Sequence, residues 1–363
     1  MFSKLFSTSS HAIEYRPLEK PTSIRIVMLQ KGSRRDTIKC SIVHTELNEI
    51  PYQALSYEWG LPNNDRTIRI DGCRVRIRRN LYEALVQIRS TTDTMVLWID
   101  AFCINQADIP ERNHQVTMMG KVYKGAKNVI VWIGIARDNS DIAMEKLADD
   151  RFRDLVRSES LGMVEKEAII ALCNRSYWRR AWIIQELFLA RSYVLWCGSK
   201  FISEEKLGTS LATMNRYGES DADQFRRAIR KSPADNHRSS KDFRGTYLNT
   251  MGRWLRMSVE VKFKSAEPHD LIYAVLAVSP ISNNGQIIVD YAKPLRDVYL
   301  ETLTVYYAQS KSNTRRQEFG SFARRLAAHL GLVINEELER CISNIVRLEA
   351  ITSAADDSME QID

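Results

Sequence analysis

From about Ser23 to Ile133, short apolar runs rich in β-branched residues alternate with amphipathic stretches, which is the pattern of an α/β layer fold. The runs that read as strands are SIRIVML, TIKCSIVH, YQALSYEW, the two halves of TIRIDGCRVRIR, MVLWID and NVIVWI. Asp71-Gly72 between alternating runs predicts a hairpin turn. Helical spacing fills the intervals. Leu81, Leu85 and Ile88 share one face of NLYEALVQIRS, a crossover from the hairpin to MVLWID. The next helix is predicted to begin at Asp108, with Pro110 in its first turn and Glu111 three residues after the cap, and to end near Gly125. Val116, Met119 and Tyr123 form its apolar stripe, which Arg112 and Gln115 extend toward the N-terminus.

Beyond Gly134 the pattern turns mainly helical, over 139–157, 163–173 and 177–190, before a last strand, SYVLWCG, at 192–198. This predicts a flexible N-terminus over 1–14, an α/β domain over 15–200, a mainly helical region over 201–345 packed on it, and a frayed tail over 346–363.

Composition narrows the class. The chain of 363 residues is 44% hydrophobic and 27% charged, enough to bury a full core. No apolar run approaches the roughly eighteen residues of a membrane span, and MFSKLFSTSSHAIEY lacks the apolar stretch of a secretory signal, so a cytoplasmic protein is expected. The six cysteines are scattered singly, without the paired spacing of a zinc site or the density of a disulfide scaffold, and no metal is expected. The net charge of +7 is local: residues 226–265 carry eleven Lys/Arg against Asp235, Asp242 and Glu260. With no nucleic-acid reader motif beside it, that stretch reads as a solvated surface, and nucleic acid is not an expected partner. Neither a glycine-rich dinucleotide fingerprint nor a phosphate-binding P-loop is present.

Three phrases, YQALSYEWG at 52–60, LWIDAFCINQADIPERNHQVTMMGKVYKGAKNVIVWIG at 97–134 and SYWRRAWIIQELFLA at 176–190, resemble in order and spacing the signature blocks of fungal heterokaryon-incompatibility (HET) domains. SAEPHDLIYAVLAVSP with VDYAKPLRDVYLE resembles the segment that follows many such domains, with His269 where an Arg is expected. The resemblance implies an effector of non-self recognition and programmed cell death that acts with itself or with another incompatibility protein. HET domains are in turn thought to be remote relatives of TIR domains. That implies a flavodoxin-like, mostly parallel sheet with flanking helices and an added hairpin. ALSY looks like the opening strand of a TIR domain, and Trp182 and Glu186 have the spacing of the Trp and catalytic Glu of its NAD-cleaving members. Under that comparison Glu186 is the catalytic carboxylate of an NAD glycohydrolase, NAD is a substrate and no cofactor is held. The alternative is a non-catalytic module that signals by self-association or partner contact.

The residues permit both. On a helix over 177–190, Glu186 shares a stripe with Trp182 and Leu189 and has no cation among its neighbours three or four residues away. A buried carboxylate so placed either takes a tertiary partner, with Arg179, Arg180 or Arg112 as candidates, or has its pKa raised. As a catalyst it would stabilise the oxocarbenium-like charge on the ribose as the C–N bond breaks. Ligands of open α/β sheets bind beyond the carboxyl ends of the strands, where Tyr57, Glu58, Trp59, Gly60 and Asp100 lie. Trp59 stacks a planar ring or packs a corner. Gly60 admits a phosphate to the backbone or makes the turn. Asp100 holds a ribose hydroxyl or caps its own loop. Arg112 completes an anion site at a helix start or pairs with Asp100 or Glu186. Cys103, between Phe102 and Ile104, is read as core and not as a nucleophile for His114.

Overall fold

The computed structural model describes residues 13–62, 65–215, 224–279, 287–309 and 316–359. The chain divides into two compact units, Met1–Arg244 and Gly245–Asp363. Most of the expected flexible N-terminus lies outside the described residues.

The first unit is built on strands β1 (Ser23–Leu29), β2 (Lys39–Glu46), β3 (Gln53–Tyr57), β4 (Asp65–Ile70) and β5 (Cys73–Arg78). Helix α1 (Arg79–Ile88) leads to β6 (Met95–Trp98), the short α2 (Asp100–Cys103) and α3 (Ile109–Gly125). Then come β7 (Val129–Trp132), α4 (Ser140–Ala148), α5 (Phe152–Arg157) and α6 (Met163–Cys173). A 3-10 turn (Ser176–Arg179), α7 (Ile183–Phe188), β8 (Tyr193–Cys197), β9 (Lys200–Ser203), α8 (Glu204–Ala212), α9 (Gln224–Arg230) and α10 (Pro233–Ser240) complete it. Residues 201–244, assigned from sequence to the region after the α/β domain, thus pack within the first unit.

The nine strands form one sheet in the order β5-β4-β2-β1-β6-β3-β7-β8-β9. The expectation of a mostly parallel sheet is corrected to a mixed one, with four parallel pairings (β2/β4, β3/β6, β3/β7, β7/β8) and four antiparallel. The cause is connection length. β6, β3, β7 and β8 are joined through helical crossovers and run parallel, whereas β1–β2, β4–β5 and β8–β9 are joined by short loops that reverse the chain. The expected turn is where the sequence put it: Asp71 and Gly72 both have positive φ, 50° and 83°, as a two-residue hairpin of the primed type requires. Asp108 caps α3 by accepting the Glu111 amide at 3.0 Å, and α1 buries Leu81, Ala84, Leu85 and Ile88.

The second unit is helical as expected, with α11 (Met251–Val261), α12 (Asp270–Leu276), α13 (Leu295–Ala308), Phe319–Leu330 and Glu336–Met359. The last of these continues through most of the stretch read from sequence as a frayed tail. Gly252 lets α11 meet Tyr306: a Cβ there would stand 2.6 Å from its ring. His269 is bonded to the Lys293 carbonyl at 2.9 Å.

Candidate functional site: the carboxyl end of strand β3

Ser56 and Tyr57 end β3, both buried, and their side chains leave the strand on opposite faces. On the Ser56 side stands Glu186. The single helix expected over 177–190 is broken: after the 3-10 turn, Arg180 is extended (φ −71°, ψ 134°) and Trp182 precedes α7. The break turns Arg180 back along its own segment, so that its guanidinium grips Glu186 with two bonds, Nη1 to Oε2 at 3.1 Å and Nη2 to Oε1 at 3.3 Å. The Ser56 hydroxyl donates to the same Oε2 and lies 2.5 Å from the Tyr177 hydroxyl. Glu186 is 1% exposed. Burial pushes its carboxyl above the usual range against the pull of Arg180 and Ser56. The cation missing from its own helix is therefore supplied six residues upstream.

On the Tyr57 side, Asp100 follows β6 directly and accepts from Trp59 Nε1 and from the Ala101 amide, each at 2.7 Å. The Tyr57 hydroxyl donates to the same carboxylate. Asp100 thereby caps its loop and anchors Trp59. Desolvation raises its pKa, opposed chiefly by Arg180, whose charge reaches both carboxylates. Gly60 has φ +76° and its carbonyl accepts from Arg78 Nη1 at 2.6 Å, while the Arg78 guanidinium lies 5.7 Å from the Trp59 ring centroid.

A recess open to solvent lies on this side. Its floor is Tyr57, Ile77, Leu81 and Phe102, all buried, and its walls are Trp59, Arg76, Arg78, Ala101 and Gln106.

The other sequence candidates are not among the groups bonded to the Glu186 carboxylate, although the Trp182 carbonyl accepts the Glu186 amide at 3.2 Å. Glu58 accepts from Ser176 Oγ at 2.6 Å. Arg112 is buried in the first turn of α3, and the cation acting on Asp100 and Glu186 is Arg180. Trp182 is half-buried at the start of α7. Cys103 is fully buried, its thiol pushed up to about 12 by desolvation, so it is no nucleophile. His114 is bonded to the Pro21 carbonyl.

Sequence reasoning missed Ser56 as a partner of Glu186 and Tyr177 as the partner of Ser56, and it missed the hairpin arginines as recess walls. It also missed a second ion pair: Arg25, fully buried in β1, binds both oxygens of Glu111 at 2.6 and 2.9 Å and the Cys103 carbonyl at 3.1 Å. An arginine in the middle of the apolar run SIRIVML is the signal that points to a buried partner. In the basic stretch 226–265, several side chains are spent on internal acceptors. Arg238 pairs with Asp235, Lys241 with Glu204, and Arg244 donates to the Leu189 and Ala190 carbonyls. Among the described residues no helix is long and apolar enough to cross a membrane, and no His, Cys, Asp and Glu cluster is arranged to hold a metal.

Residues 52–186 match the family described as heterokaryon incompatibility protein (HET). The match runs from just before β3 to Glu186 itself. Heterokaryon incompatibility protein 6, OR allele, of Neurospora crassa is 29% identical over 250 residues, an alignment that covers 55% of this chain and 36% of that protein. The chain thus spans little more than a third of the curated relative's length. No solved structure gives a significant match. The stretch that matches the HET family is thus the one that holds β3, Asp100 and the Arg180–Glu186 pair.

Proposed function

We propose that this chain acts in fungal heterokaryon incompatibility as an effector module that signals cell death by contact, with a second copy of itself or with another incompatibility protein. The observation that carries the reading is the state of Glu186. Both of its oxygens are bonded to Arg180, one also to Ser56, and 1% of the residue meets solvent. A carboxylate held in this way locks the segment 176–188 to β3. It is not poised to face a substrate.

A second reading, NAD cleavage at Glu186, is favoured by one specific observation. The parallel strands β6, β3, β7 and β8, counted in chain order, run 2-1-3-4, which is how a flavodoxin-like sheet begins, and the recess lies at their carboxyl ends. Incubating the purified chain with NAD and measuring free nicotinamide separates the two. The contact reading expects no release, and toxicity on expression in a fungal host with NAD levels unchanged. Release that disappears in a folded Glu186→Gln variant would overturn it.

A further inference from the structure

Two lining residues of the recess beside Trp59, Arg76 and Arg78, belong to an unusual strip of sheet. Along β5 the alternation of side chains puts Arg74, Arg76 and Arg78 on one face, and Cys73, Val75 and Ile77 on the other. The antiparallel register sets Arg69 opposite Arg74 and Thr67 opposite Arg76, and the parallel register sets Lys39 opposite Arg69. Five cations therefore share one face of three adjacent strands. Facing them from β4 is Asp65, opposite Arg78 and 3.6 Å from Arg76, whose side chain remains 59% exposed. Such a face repels itself unless an anion covers it. Arg76 and Arg78 belong to both features, since they also form walls of the recess.

We propose that the recess and this strip together bind a free nucleoside polyphosphate, with the base in the recess and the phosphates along Arg78, Arg76 and Arg74. The recess supplies what a base needs. It has an apolar floor, an indole wall fixed in orientation by Asp100, and Gln106 as a donor and acceptor for a ring edge. The strip supplies what linked phosphates need. Guanidinium groups two residues apart on a strand stand about 7 Å apart, a span that one carboxylate does not bridge and a chain of phosphates does. A single recess takes one base, which favours a free nucleotide over a nucleic-acid strand. Nothing in this binding consumes the ligand or uses Glu186, so the inference goes beyond the contact reading and does not depend on NAD cleavage.

Isothermal titration of the full chain with ATP, NAD, adenosine, tripolyphosphate and a single-stranded oligonucleotide tests it. ATP and NAD should bind one per chain, and adenosine or tripolyphosphate at least about tenfold more weakly, because each makes half of the contacts. Ala101→Leu, which fills the recess, and the paired surface change Arg74→Ala with Arg76→Ala should each weaken ATP about tenfold or more. If Ala101→Leu fails to fold, Gln106→Trp, which closes the mouth from the loop, takes its place. Nicotinamide is measured in the NAD titration, so binding without release supports this site while removing the cleavage reading. Absence of ATP and NAD binding overturns the proposal. So does tripolyphosphate or oligonucleotide binding as tight as ATP and indifferent to the recess variants, which is adsorption of any polyanion.

Discussion

The two faces of β3 differ in how they treat charge. Behind Ser56, a carboxylate and a guanidinium are buried together, with Ser56 donating to the carboxylate and Tyr177 bonded to Ser56. Behind Tyr57, a carboxylate is again buried, but its partners, Trp59 and Ala101, are walls of an open recess. Glu186 and Asp100 are both raised in pKa by desolvation, yet one closes a joint and the other holds a wall in place. A perturbed carboxylate is thus a poor guide to chemistry until its surroundings are known: Glu186, raised like Asp100, is closed off by its partners.

If the Ser56 side is a closed joint, breaking it should be costly. Glu186→Gln leaves Arg180 without its counter-charge and is expected to lower stability by about 3–5 kcal/mol in denaturant unfolding. Replacing both partners, Glu186→Leu with Arg180→Met, should recover most of that loss, since no uncompensated charge remains. The same joint leans on His237, which is buried against the Trp178 carbonyl at 3.1 Å. Desolvation lowers its pKa from 6.5 to about 4. A group with a depressed folded pKa binds its proton less readily in the folded state, so its contribution is full above 6.5 and is lost as pH falls from 6.5 to about 4. The loss from this group should approach roughly 3 kcal/mol in that window, and His237→Gln should remove that component of the pH dependence.

The open side should respond less. Trp59→Phe removes one donor from Asp100 and should cost about 2 kcal/mol while leaving the sheet intact by circular dichroism. Gln106→Trp, at the recess mouth, should change stability by no more than about 0.5 kcal/mol. Equal losses at Gln106 and Glu186 would erase the distinction between the faces.

Period-2 runs and turn chemistry made the strands and the Asp71-Gly72 hairpin legible, because those signals are local. Pairing direction was not legible for β1–β2 and β8–β9, since it depends on which edges meet. The helix break at Arg180 also escaped, because SYWRRAWIIQELFLA has apolar spacing compatible with a continuous helix and the Arg180–Glu186 bond that rewards the break is tertiary. Trp59 and Asp100 were found by their position after strands. The recess walls from the hairpin were not, because Arg76 and Arg78 reach Trp59 only once the chain has folded.

The most direct test of the account is the double variant Glu186→Leu with Arg180→Met, which removes the carboxylate without stranding a charge. Expressed in a fungal host and shown to be folded, it should still trigger the incompatibility response at wild-type NAD levels. A folded double variant that has lost the response, from a parent that depletes NAD, would contradict the structural role given to Glu186.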